Sequence, residues 1–147
     1  MIYKRSLKGL FEMECELCDN IENYRLIKET KYSKVAICKW PLKPGHVIVM
    51  PKRHVTQTTM CDLSDEELRD FMSLVQEMED LLNEKFEENV ITFKNSGKHS
   101  TQVHLHYHLL PSKGALRDLF STFEAIPKRE EITQREYEDM KKLLIDN

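Results

Sequence analysis

No apolar run in this 147-residue chain approaches the ~18 residues needed to cross a bilayer, and the opening stretch Met1-Ile-Tyr-Lys-Arg-Ser-Leu-Lys-Gly-Leu lacks the apolar core of a signal peptide. A soluble cytoplasmic protein without membrane contact is therefore expected. Cationic excess is absent as well. Lys and Arg number 22 against 25 Asp and Glu, for a formal charge of −3, so no extended field for nucleic acid exists. Internal repeats and low-complexity tracts are missing too. Cysteine is sparse: Cys15 and Cys18 form a close C-x-x-C, whereas Cys38 and Cys61 stand apart, out of four in all. That spacing reads as reduced thiols rather than a disulfide framework. Cys38 and Cys61 are expected to be small core hydrophobes.

What is present suffices for one domain over residues 1–147, being 40% hydrophobic and 32% charged. Val35-Ala-Ile-Cys38 and His46-Val-Ile-Val-Met50 read as strands, joined by Trp40-Pro-Leu-Lys-Pro-Gly45, which must be irregular. Leu26-Ile27 belongs to an earlier strand. Ser64-Asp-Glu-Glu67 is a capping box, and Leu68, Phe71, Met72, Val75, Met78, Leu82 and Phe86 continue it as one apolar helical face to about residue 87. Asn89–Lys94 and Val103–Leu110 are two further strands of an antiparallel hairpin around a polar loop, Asn95–Thr101. Thr133-Gln-Arg-Glu136 caps a C-terminal helix that buries Tyr137, Met140, Leu143 and Leu144. The class is α+β.

Side chains alternate along a strand, so His104, His106 and His108 share one side and Val103, Leu105, Tyr107 and Leu109 face the core. Successive histidines stand about 6.6 to 6.8 Å apart, near enough to share a phosphate or to chelate a metal in pairs. Neutral imidazole is a nucleophile near pH 7, and a neighbouring imidazole can protonate a leaving group. An open-site metal held by the same row would instead activate water. Cys15-x-x-Cys18 has the spacing of half a zinc knuckle, with two further ligands required from elsewhere in the chain. Trp40 can stack on a base or pack in the interior. Lys52 and Arg53 read as solvated cations.

The run from His104 to Pro111 resembles the motif of the histidine-triad superfamily. So do Pro44-Gly45-His46-Val47-Ile48-Val49, Pro51-Lys52-Arg53-His54 and Asn95-Ser96-Gly97, in the family's order. The resemblance implies an antiparallel sheet of about five strands, a long helix, a C-terminal helix and a homodimer. It implies hydrolysis of a nucleotide phosphoramidate or dinucleoside polyphosphate through a nucleotidyl-histidine on His106, with His108 assisting the leaving group and His46 lining the pocket. Asn95, Ser100 and Thr101 would contact a purine nucleotide substrate, and residues 113–147 would shape the leaving-group side. The zinc-bearing branches imply Cys15, Cys18, His54 and His104 around a structural zinc, with His99 as the alternative to His104. Trp40-Pro41 and the Pro51–His54 stretch also resemble nucleotidyltransferase and phosphorylase branches, in which a phosphate accepts the nucleotide. The ribose-binding acid or amide of the family would fall near Cys38 or Lys39, and neither position carries one. Outside enzymatic readings, a non-catalytic nucleotide-binding protein would retain binding without turnover.

Overall fold

The computed structural model describes residues 3–5, 11–13, 15–19, 21–22, 25–96, 103–123, 125 and 128–145. In chain order the strands are β1 (Tyr3–Arg5), β2 (Phe11–Met13), β3 (Leu26–Glu29), β4 (Ser33–Ile37), β5 (Val47–Pro51), β6 (Asn89–Phe93) and β7 (Tyr107–Ser112). The helices are α1 (Glu16–Asp19), α2 (Asp65–Phe86), α3 (Leu116–Ser121) and α4 (Gln134–Ile145). β1 and β2 pair with each other, and the other five strands form one antiparallel sheet in the order β3-β4-β5-β7-β6. The expected α+β class and five-stranded sheet are those observed.

β4 and β5 are buried along their whole length, which explains their nearly continuous apolar sequence. Their alternate residues serve two different cores. Val35, Val47, Val49, Leu105 and Leu109 pack against Phe71, Leu74, Val75, Met78 and Leu82 of α2. On the other face Ala36, Cys38, Ile48 and Met50 gather around Leu17 of α1. His46 and His108 keep the even-numbered parity of that second face, so α2 supports the sheet from behind while these histidines lie in front.

α2 begins as expected: Ser64 Oγ accepts from the Glu67 amide at 3.1 Å and Glu67 accepts from the Ser64 amide at 2.8 Å. Its face differs in detail, because Met72 is exposed and Leu74 is buried; Leu74 lies at the three-residue step from Phe71 on the side turned to the sheet. In α4 Tyr137 and Leu144 are buried whereas Leu143 is exposed. Cys61 is also exposed, contrary to the expectation of a core thiol, because it sits in a 3₁₀ turn over Met60–Asp62 with no buried residue.

The histidine-bearing strand starts later than its sequence suggests. Residues 103–106 leave the β5 ladder and pair with the irregular segment after Pro51: Leu105 N donates to Val55 O at 2.7 Å and Gln57 N to Val103 O at 3.2 Å. Only from Tyr107 does the chain join β5 and β6. Pro111 is accommodated inside β7 because pairing with β5 ends at Leu109, so no ladder partner on that side awaits its missing N–H.

Candidate functional site

Three neighbouring imidazoles, His46, His108 and His106, each make hydrogen bonds that assign their tautomers. His46 follows Gly45, whose φ of +88° and crowding by Phe86 and Pro111, at 2.6 to 2.8 Å from any added Cβ, admit only glycine. The turn that Gly45 makes brings the Leu42 amide to His46 Nδ1 at 3.0 Å. Since Nδ1 accepts, the proton of neutral His46 is on Nε2, which donates to His108 Nδ1 at 2.9 Å. His108 therefore carries its own proton on Nε2. Phe93, its register partner on β6, stacks on the ring at 4.8 Å and 12° and holds its plane.

His106 is oriented by its own strand. Its Nδ1–H donates to the His104 carbonyl at 2.8 Å, which leaves the Nε2 lone pair free for attack. The His106 and His108 ring centroids are 4.8 Å apart, edge to face. Gln57, which the sequence reading did not single out, lies with Nε2 3.5 Å from His106 Nδ1. Burial holds the imidazoles neutral. It pushes His46 down to about 4 and His108 to about 3, with repulsion from His106 adding to each, and it lowers His106 too.

His106 and His108 line a cavity of about 130 Å³ together with Asn95, Ile48, Leu17, Cys38, Trp40 and the cations Arg25, Lys39 and Arg129. Asn95 lines this cavity, while Ser100, Thr101 and His99 lie outside the described residues. Trp40 and Arg129 belong to the pocket although neither was assigned to it. Cys38 stands with His46 and His108 in a group whose ligand atoms fall within 4.8 Å of one another, and burial raises its thiol. In this group His46 Nε2 and His108 Nδ1 already satisfy each other at 2.9 Å.

His104 turns away from the other two, and the three triad histidines do not form a common metal-binding group among the described residues. Instead His104 joins Cys15, Cys18 and His54 in a second cluster with ligand atoms within 4.8 Å of one another. Cys18 Sγ lies 3.2 Å from Nδ1 of both His54 and His104, and Cys15 Sγ lies 3.4 Å from His104 Nδ1. Tetrahedral zinc, with bonds of about 2.3 Å to sulfur and 2.0–2.1 Å to nitrogen, requires sulfur and nitrogen about 3.6 Å apart. The cluster is only slightly tighter. His104 Nε2–H donates to Pro51 O at 2.7 Å, presenting an unprotonated Nδ1 to a metal as ligating histidines commonly do. This donor set fits a metal ion. Arg53, by contrast, is a surface cation paired with Glu67 at 2.8 Å.

The five-stranded antiparallel sheet thus carries two neighbouring neutral imidazoles, His106 with a bare Nε2 and His108 with its proton on Nε2, beside a separate cysteine–histidine cluster. The HIT domain family profile matches residues 21–115, and this chain belongs to that family. It is 35% identical over 108 residues, 69% of this chain and 68% of the other, to a bis(5'-adenosyl)-triphosphatase of Dictyostelium discoideum. It is 28% identical over 116 residues, 75% and 70% of the two chains, to an adenosine 5'-monophosphoramidase of Saccharomyces cerevisiae. Among solved structures, a zinc-bound histidine triad family protein from Mycobacterium smegmatis shares the fold with a TM-score of 0.63 at 20% identity, covering 88% of this chain and 92% of that one.

Proposed function

We propose that the protein hydrolyses purine nucleotide phosphoramidates or dinucleoside polyphosphates through a nucleotidyl-histidine on His106. The observation that carries this reading is the tautomer pattern: an unprotonated His106 Nε2 beside a His108 whose Nε2 bears a proton, in one pocket. His106 Nε2 attacks phosphorus, a P–N bond forms, and the P–O or P–N bond to the leaving group breaks. His108 Nε2–H donates a hydrogen bond to the departing oxygen or nitrogen, which takes its proton from solvent. Water then cleaves the P–N bond to His106, giving a nucleoside monophosphate, releasing the water's proton to solvent and restoring neutral His106. Asn95 is the polar contact at the rim, and Ser100 or Thr101 meets the leaving phosphate. The named relatives, a bis(5'-adenosyl)-triphosphatase and a monophosphoramidase, support both substrate classes.

Cys15, Cys18, His54 and His104 would hold a structural zinc. Four protein donors leave no open position, so zinc would supply cross-linking rather than chemistry. Its attachment to His104 bears on the nucleophile, because the carbonyl of the same residue receives His106 Nδ1–H. The whole chain acts as one domain in the cytoplasm, where its thiols stay reduced, and assembles as a homodimer whose sedimentation would give twice the chain mass.

Chromatography of products from diadenosine triphosphate and adenosine 5'-phosphoramidate tests the reaction. AMP is expected from both, with inorganic phosphate in the mixture leaving the yield of AMP unchanged. Diversion of AMP to ADP by added phosphate would assign a phosphorylase, and binding without products would assign a non-catalytic nucleotide-binding protein.

A further inference from the structure

Two cations are buried beside α1, and only one of them is paired. Arg25 is 2% exposed; its Nη1 donates to Glu16 at 3.4 Å and to Glu22 at 3.1 Å, and its Nε and Nη2 reach Ile37 O. Lys34 is 7% exposed. Its one hydrogen bond among the described residues runs from Nζ to Cys18 O at 3.1 Å, and it forms no ion pair with any of them. Lysine is rarely buried without an anionic partner, because the ammonium gives up a large hydration energy that one carbonyl does not return. A cation buried in this way calls for negative charge close by.

The cysteine–histidine cluster can provide it. Cys18 carries the sulfur that lies 3.2 Å from Nδ1 of both His54 and His104, so the ammonium is bonded to the backbone of a candidate ligand. Burial above all pushes His104 down to about 4, and the Lys34 ammonium is among the charges that add to it, a sign of how near the two lie. A metal ion takes cysteines as thiolates. The negative charge then rests on the sulfurs around the ion, and an ammonium outside the ring of ligands beside Cys18 gains from a thiolate what a neutral thiol does not offer.

The same lysine also fixes the turn. α1 has four residues, too few to hold a helix by its own hydrogen bonds. Its position is set by Leu17, buried against Ile48 and Met50 of the sheet, and by the contact of Lys34 with Cys18 O. Lys34 pairs with Met50 in the β4–β5 ladder, and the next pair, Ser33 with Pro51, supplies the carbonyl that receives His104 Nε2–H at 2.7 Å. Adjacent rungs of one ladder therefore anchor a cysteine and a histidine of the cluster.

We propose that Lys34 is a positioning residue for the metal ion: it fixes the Cys18 turn and offsets the charge of the thiolate ligands, so that zinc binds more tightly than its four donors alone would allow. The proposal rests on the zinc reading above. Native protein, Lys34→Met, Lys34→Gln and Lys34→Arg are loaded with zinc or with cobalt(II), whose visible absorption reports tetrahedral thiolate ligation, and challenged with graded chelator. Lys34→Met is expected to bind both ions about ten- to hundredfold more weakly than native protein, as loss of an outer-shell partner does. Lys34→Gln, which keeps a donor for Cys18 O without charge, recovers little, and Lys34→Arg recovers most. Thermal melts separate this from a general loss of packing. In excess chelator Lys34→Met melts no lower than native protein, since an unpaired buried ammonium has been removed, while the rise in midpoint on adding zinc shrinks. Native affinity in Lys34→Met or Lys34→Gln, or equal losses of midpoint with and without zinc, overturns the role of Lys34. If Lys34→Met does not fold, the comparison of Lys34→Gln with Lys34→Arg decides alone. If native protein takes up neither ion, the zinc reading fails and this proposal fails with it.

Discussion

Replacing His46 with alanine tests the tautomer relay. His46 is 4% exposed and joins two groups, the Leu42 amide at 3.0 Å and His108 Nδ1 at 2.9 Å. In the variant the Leu42 amide loses its acceptor, at a cost of about 1–3 kcal/mol, and the cavity left by the ring adds to that. The catalytic effect is separate from the loss of stability. With no donor opposite Nδ1, His108 is free to carry its proton there, and the tautomer that turns Nε2–H toward the leaving group loses about 1–2 kcal/mol of preference, or roughly five- to thirtyfold in kcat. Glutamine can place an amide N–H near the position of the imidazole Nε2, so His46→Gln is expected to recover most of kcat while recovering little of the Leu42 contact. Steady-state kinetics at saturating diadenosine triphosphate and urea unfolding measure the two effects. The relay is refuted if His46→Ala stays folded with native kcat, or if His46→Gln and His46→Ala are equally slow.

Two further outcomes follow from the buried histidines and the cysteine cluster. Cys18→Ala removes the sulfur that lies 3.2 Å from both histidine ligands, so elemental analysis should find zinc falling from about one per chain to near zero, with a lowered thermal midpoint; full zinc content in the variant would refute the assigned ligand set. Acid should destabilise the protein between pH 6.5 and 4. In that window the unfolded chain binds protons on histidines that burial keeps neutral in the folded state, His46 down to about 4 and His108 to about 3. The sign is fixed: unfolding free energy falls as pH falls, by about 1.4 kcal/mol per pH unit for one such group, or roughly 2 kcal/mol at pH 5. Denaturant midpoints that stay flat from pH 7 to 5 would contradict the neutral pairing of these rings.

The legible parts of the fold were those in which local chemistry and tertiary packing agree. Ser64 and Glu67 start α2 where the capping box predicts, and Thr133 with Glu136 does the same for α4. Periodicity alone did not distinguish the two faces of β4 and β5, because both are buried and neither alternates with polar residues. The alternation of the histidine row was legible, with Leu105, Tyr107 and Leu109 on the α2 side; what the sequence did not reveal is that residues 103–106 pair with the Val55–Gln57 segment instead of β5, with His104 beside the cysteines and His106 and His108 lining the pocket. Which residues surround a nucleophile depends on contacts distant in sequence. Trp40 is 66 residues from His106 and is ambiguous between interior and pocket by type, while Arg129 lies in a polar stretch with no motif at all. The charge imbalance around Glu16, Arg25, Lys39 and Arg129 exists only once the chain has folded.

The central claim is that His106 becomes covalently bonded to phosphorus, and intact-protein mass spectrometry tests it most directly. Native protein and His106→Ala are mixed briefly with adenosine 5'-phosphoramidate or diadenosine triphosphate and quenched under conditions that preserve acid-labile P–N bonds. Native protein should gain the mass of one adenylyl group and the variant none, with peptide mapping assigning the group to His106. Rapid turnover by the native protein with no adduct at any quench time, or an equal adduct on His106→Ala, would contradict the mechanism.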